Sequence, residues 1–215
     1  MMTYVKTKTP MYTLGEEISN AITHGLGAAA AIVGSVFLIL KAGAGAARLI
    51  PSAAYAVSMV LLFGMSSVYH SISNVRAKSI LRICDHSSVF LLIAGTYSPY
   101  TMIALRGIAG VILFSAVWIT AVVGTTLNIF GLERFKKITM VCYILSGWSV
   151  IFAIVPLVRS LPLPGCILLF AGGIFYTVGL IFYRMKHVRF MHTIWHVLVL
   201  GGAVCHYFSI LLYVL

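Results

Sequence analysis

The sequence predicts an all-α integral membrane protein, a seven-transmembrane-helix bundle with a cytoplasmic N-terminus and a C-terminus outside. Three observations predict it. Of 215 residues, 61% are hydrophobic and only 9% are charged, against roughly 25% charged in an average soluble domain. The few charges divide the chain into seven charge-free intervals, 18–40, 49–75, 86–105, 107–132, 138–158, 160–183 and 190–215. Each is long enough to supply the about 20 helical residues that cover a roughly 30 Å hydrocarbon core. The alternating segments of about ten residues that mark a membrane β-barrel are absent.

In chain order, residues 1–17 form a polar cytoplasmic segment with neither the apolar core nor the small-residue cleavage site of a signal peptide. The first span itself must therefore direct insertion, and residues 18–215 make one transmembrane domain. The spans are expected at about 18–40, 51–73, 84–105, 107–130, 138–158, 164–183 and 191–214. The Ala/Gly-rich run after Lys41 reads as a helix end and loop. Orientation follows from the 15 Lys and Arg residues, because cytoplasmic loops retain positive charge. Eleven lie in the N-terminal segment (Lys6, Lys8) and the second, fourth and sixth loops (Arg76, Lys78, Arg82; Arg134, Lys136, Lys137; Arg184, Lys186, Arg189). The other four, Lys41, Arg48, Arg106 and Arg159, fall to the opposite side.

The net charge of +11 sits on short loops rather than in one basic stripe, which argues against nucleic acid as a partner. Membrane lipids, with anionic headgroups against the basic cytoplasmic loops, are the expected partners. The four cysteines form no CxxC pair and no disulfide framework, and read as small core residues.

An ionisable residue within a membrane is costly and marks a functional site by default. The expected topology sorts the candidates. His70 ends the second span, Asp85 opens the third, and His192 and His196 open the seventh, so all four share the cytoplasmic side. The i, i+4 spacing of His192 and His196 places both imidazoles on one helix face, about 6 Å apart along the axis. With His70 they make a three-histidine set, the ligand count of a catalytic zinc whose fourth position is open. Asp85 then either holds and deprotonates the attacking water, or serves as a first-turn acid or an i, i+3 partner of Arg82.

A second polar stripe, Glu17, Asn20 and His24, lies on one face at the start of the first span. It reads either as capping residues or as a layer that orients the site. Ser66, one turn before His70, bonds either the water or the backbone carbonyl four residues back. His86 is either a supporting residue of the site or faces another helix. His206 lies about 21 Å along the helix from His192, too far to join it on a metal, and is expected to hydrogen-bond within the bundle.

These residues together resemble the hemolysin III family, the bacterial branch of the progestin and adiponectin receptor superfamily. The resemblance rests on EEISNAITHG in the first span, on LLFGMSSVYHSI and RAKSILRICDHSSVFLLIAGTYSPY across the second and third, and on MHTIWHVLVLGGAVCHYFSILLYVL in the seventh. It implies a multi-pass protein of the bacterial inner membrane with a zinc ion near the cytoplasmic leaflet. His70, His192 and His196 would be the ligands, Asp85 the acid that holds the attacking water, and Ser66 its neighbour. Eukaryotic relatives look like ceramidase-type amide hydrolases. Bacterial members are named for cytolytic activity and linked to membrane-lipid homeostasis.

Three functions compete at this point: a zinc-dependent lipid amide or ester hydrolase, a sensor or regulator of membrane state with a structural zinc, and a cytolytic pore-former. The spans offer no repeated polar face to line a channel, which ranks the pore-former last.

Overall fold

The computed structural model describes residues 12–105, 107–185 and 187–215. Lys6 and Lys8, with most of the expected N-terminal segment, and Arg106 and Lys186 lie outside the described residues. The described residues are almost all helical, with no strand among them. In chain order the helices are α1 (Leu14–Ala42), α2 (Ala46–Ser71), α3 (Val75–Pro99), α4 (Ile108–Gly147), α5 (Ile154–Ser160), α6 (Leu163–Arg184) and α7 (Met191–Ser209). A π-helical turn extends α3 over Tyr100–Ala104 and another extends α7 over Ile210–Val214, while a 3-10 turn, Ser149–Ala153, joins α4 to α5.

Local chemistry sets the helix starts. Thr13 caps α1 through a capping box: the Glu16 amide donates to Thr13 Oγ1 at 3.4 Å, and the Thr13 amide donates to Glu16 Oε2 at 2.9 Å. Such a cap contributes about 1 kcal/mol. Glu16 and Glu17 consequently lie inside the first helix rather than ahead of it. Asn74 caps α3, its side-chain oxygen accepting from the amides of Arg76 and Ala77 at 3.1 Å. The helix therefore begins at Val75 and not near residue 84, which carries Asp85 well past the first turn. Charge-free intervals locate the apolar core of a span, whereas caps locate its ends.

Five stretches of the described residues are long and apolar enough to cross a membrane: α1, α2, the run Ile108–Ser160, α6 and Met191–Val214. This differs from the seven charge-free intervals for two local reasons. The helix resumes after a break at Gly131 (φ 170°, ψ 80°), so Glu133, Arg134, Lys136 and Lys137 are helical and join what were expected as separate fourth and fifth spans. And α3 combines charges in its first half with Ser87, Ser88, Thr96 and Ser98 further along, which dilutes its apolar character.

On α1 the buried positions Asn20, His24, Gly27, Ala31 and Leu38 follow the helical period, while Ile22, Val33 and Phe37 on other faces are exposed. The same outward apolar display recurs on α4 at Val111, Ile119 and Phe130, and at Phe152, which is 94% exposed. An apolar outer surface of this extent belongs in lipid, and the chain is a membrane protein. Inside, α1 packs against α2 and α7, α2 against α3, α3 against α4, and α6 against α7. The helices that carry the three metal-type histidines are thus brought side by side around α1.

Candidate metal centre

His70 near the end of α2 and His192 and His196 in the first turns of α7 converge. One ligand-type atom from each lies within 4.8 Å of the other two. The proton positions can be argued from their partners. His70 Nδ1 is 2.7 Å from Glu17 Oε2, so it donates to the carboxylate and leaves Nε2 as a bare acceptor. That buried Nε2 has no hydrogen-bond partner. His196 Nδ1 is 3.2 Å from the Asn20 carbonyl, which likewise leaves its Nε2 as an acceptor. This Nε2 faces His192 Nε2 at 3.1 Å. Nitrogen atoms gathered in this way, with the His70 and His196 rings each oriented by an oxygen on the far side as outer support, could hold a metal ion.

The stripe on α1 is that support. Glu17 bridges His70 and Lys78, the latter at 2.8 Å. Asn20 offers its backbone carbonyl to His196, and its side-chain oxygen accepts from Thr193 Oγ1 at 2.6 Å. His24 stacks on His196 with ring centroids 3.6 Å apart and 9° between planes. The reading of these residues as plain caps does not account for contacts that run to α2, α3 and α7.

Several contributors escape sequence reasoning. Tyr12, ahead of α1, stacks on His192 at 5.0 Å between centroids and tilts against His70 at 5.7 Å. Burial raises its phenol above the ordinary value. Glu16 accepts from the Phe190 amide at 2.9 Å, fixing the left-handed residue (φ 62°) from which α7 starts. No motif marks Tyr12. The ExxN spacing that flags Glu17 and Asn20 does not reach Thr193 either, although its place between the two histidines was a usable signal.

Beside the histidines lies a cavity of about 230 Å³, bordered at this end by His24, Ser66, Asp85, His86, His192 and His196. Asp85 sits next to His86, with His86 Nδ1 and Asp85 Oδ2 3.5 Å apart. Arg82, 1% exposed, forms an ion pair with Glu133 across α3 and α4. Ser66 is buried on the cavity wall. His206 is remote from the cluster, its Nε2 3.0 Å from the Leu169 carbonyl, as the distance along the helix required. Of the cysteines, Cys166 is buried and Cys142 and Cys205 are half-buried, but Cys84 is exposed, against its expected place in the core; all are free thiols.

A family model described as "Haemolysin-III related" matches residues 12–207. Hemolysin-3 of Bacillus cereus is 44% identical over 202 residues, spanning 93% of this chain and 92% of that protein. A Hemolysin-3 homolog of Bacillus subtilis (strain 168) is 43% identical over 205 residues, or 94% and 96% of the two chains. Similarity extends to the human monocyte to macrophage differentiation factor, 27% identical over 206 residues, 92% of this chain and 84% of that one. A match that takes in every helix through α6, the histidine cluster and most of α7 leaves one conclusion: the chain belongs to the haemolysin-III-related family.

Proposed function

We propose that this protein is a zinc-dependent hydrolase of lipid amides or esters, working at the cytoplasmic leaflet. The observation that carries the reading is the convergence of His70, His192 and His196 beside a cavity whose wall includes His192, His196 and Asp85. A bound zinc ion supplies Lewis-acid chemistry, polarising a carbonyl and lowering the pKa of water toward about 7. The chain's own residues do the rest. Glu17 and the Asn20 carbonyl hold the imidazoles of His70 and His196 in the tautomer that presents Nε2. Asp85 accepts the proton of the attacking water as the new carbon–oxygen bond forms. When the carbon–nitrogen or carbon–oxygen bond to the leaving group breaks, Asp85 returns that proton to the departing amine or alkoxide. Ser66 lies on the wall where its hydroxyl orients the water. The apolar remainder of the cavity takes the hydrocarbon chain. Incubating purified protein with a bacterial lipid extract, with and without a chelator, tests this: chelator-sensitive loss of one lipid mass and gain of its fragments is expected, and identical spectra would overturn it.

The same reading takes α3 and the two arms of Ile108–Ser160 on either side of Gly131 as crossings, seven in all. The division of Lys and Arg, eleven against four, supports a cytoplasmic N-terminus and histidine cluster. A reporter active only in the cytoplasm should therefore work when fused after Lys137 and fail when fused after Leu215. The reverse pattern would move the site to the outer leaflet.

Glu17 acts through His70 and is a positioning residue. Glu17→Gln should weaken zinc affinity by about 10–100-fold, the usual effect of losing a carboxylate behind a histidine ligand. Competition with a graded series of chelators reads this directly, and unchanged affinity would separate the Glu17–His70 pair from metal binding.

A further inference from the structure

The cavity has a second polar end. Past the histidine cluster, its wall includes His206 of α7, Tyr176 of α6 and Tyr100 in the π turn after α3. His206 Nδ1, the Tyr176 hydroxyl and the Tyr100 hydroxyl are all buried without a hydrogen-bond partner. His206 and Tyr100 are 8% and 3% exposed. The Ser209 hydroxyl donates to the Gly165 carbonyl at 2.8 Å and its oxygen can still accept from Tyr100, so the unmatched pair on this wall is His206 Nδ1 and the Tyr176 hydroxyl. Leaving such groups unmatched in an apolar bundle costs free energy, so their presence together on one wall calls for a matching ligand group.

The rings are held in place by a reciprocal arrangement of glycines. A Cβ on Gly172 of α6 would collide with the His206 ring, and one on Gly202 of α7 would come within 2.9 Å of the Tyr176 ring. Each helix thus gives up a side chain to seat a ring of its neighbour, Gly172 seating His206 and Gly202 seating Tyr176. Close approach of membrane helices through small residues locks such contacts. The ring centroids of Tyr176 and His206 stand 5.4 Å apart.

The hydrogen-bond roles follow. His206 Nε2 faces the Leu169 carbonyl and must donate, which leaves Nδ1 of the neutral ring as an acceptor. The Tyr176 hydroxyl supplies the donor. We propose that this end of the cavity is a subsite for a neutral hydroxyl-bearing group carried on the hydrocarbon chain of the lipid. A hydroxyl both donates to Nδ1 and accepts from a tyrosine, whereas a carboxylate would meet the lone pair of Nδ1. Ten residues of α7 separate His196 from His206, so the group sits about 15 Å from the histidine cluster. This deepens the lipid reading and rests on it.

The test compares dodecanoate with its ω-hydroxy counterpart, whose extended chain suits that span, by calorimetric titration of the full chain in detergent. The ω-hydroxy acid should bind the unmodified protein about tenfold more tightly, the worth of one or two neutral hydrogen bonds. Tyr176→Phe should cut the preference to about twofold and leave the affinity for dodecanoate itself unchanged, which shows that the cavity is intact. Equal binding of the two acids overturns the subsite while leaving the lipid reading in place. So does a preference that survives in Tyr100→Phe/Tyr176→Phe. Binding of neither acid overturns both.

Discussion

Asp85→Asn protein should keep its zinc and its fold and lose lipid hydrolysis by about 10²–10⁴-fold, the usual contribution of a general base. Asparagine preserves the shape of the side chain but cannot take up a proton at neutral pH. The competing explanations of Asp85 predict otherwise and are weakened by its surroundings. A helix-dipole role acts within the first turn, yet α3 starts at Val75 and Asp85 lies well beyond it. Pairing with Arg82 was the other alternative, and Arg82 engages Glu133 across to α4. Beside Asp85 lie His86 and the cavity that His192 and His196 border. Turnover measured at saturating zinc on both proteins is the deciding comparison, and near-equal rates would dismiss Asp85 as the base.

Removing both histidines of α7 should have the other large effect. Purified protein should hold about one zinc per chain, and His192→Ala/His196→Ala should lose it together with all chelator-sensitive turnover, because the remaining His70 supplies one ligand where an open zinc site needs three. The helix itself should survive, since it is anchored away from those side chains. Glu16 holds the Phe190 amide, and the Tyr207 hydroxyl donates to the Gly34 carbonyl at 3.0 Å. Elemental analysis and lipid turnover on the same preparation separate the possibilities. Zinc that stays bound removes the three-histidine assignment. Turnover that persists after zinc is lost removes the hydrolase reading. A metal that only fastens α2 to α7 would leave with no reaction to lose at all.

The histidine cluster was legible because its geometry is mostly helical geometry. The i, i+4 spacing fixes His192 and His196 on one face, and charge counting places that face at the same end of the bundle as His70. The stripe Glu17, Asn20 and His24 was legible for the same reason. What could not be read were contacts made by residues outside a helix or across a break. Tyr12 precedes α1 and reaches His192 through the path of the chain, which no periodicity encodes. Arg82 finds Glu133 only because the helix resumes after Gly131 and sets the acid against α3, whereas the charge pattern suggested a loop there. The capping oxygens of Thr13 and Asn74 extend α1 and α3 beyond their apolar cores. Gly172 and Gly202 appear in sequence as unremarkable small residues, and their value is visible only once each meets the ring of the other helix.

The distribution of the histidine cluster along the chain also fixes an order of events. Glu17, Asn20 and His70 belong to α1 and α2, which are made well before α7 with His192 and His196. Until α7 has been synthesised and has docked against α1, the early half presents only one of the three clustered imidazoles, His70, with its carboxylate, too few groups to retain a metal. Under the proposed zinc reading, loading would therefore be a late step in biogenesis, and a chain truncated before α7 should stay empty however much zinc surrounds it. Docking of the last helix is at once the closing of the bundle and the making of the site.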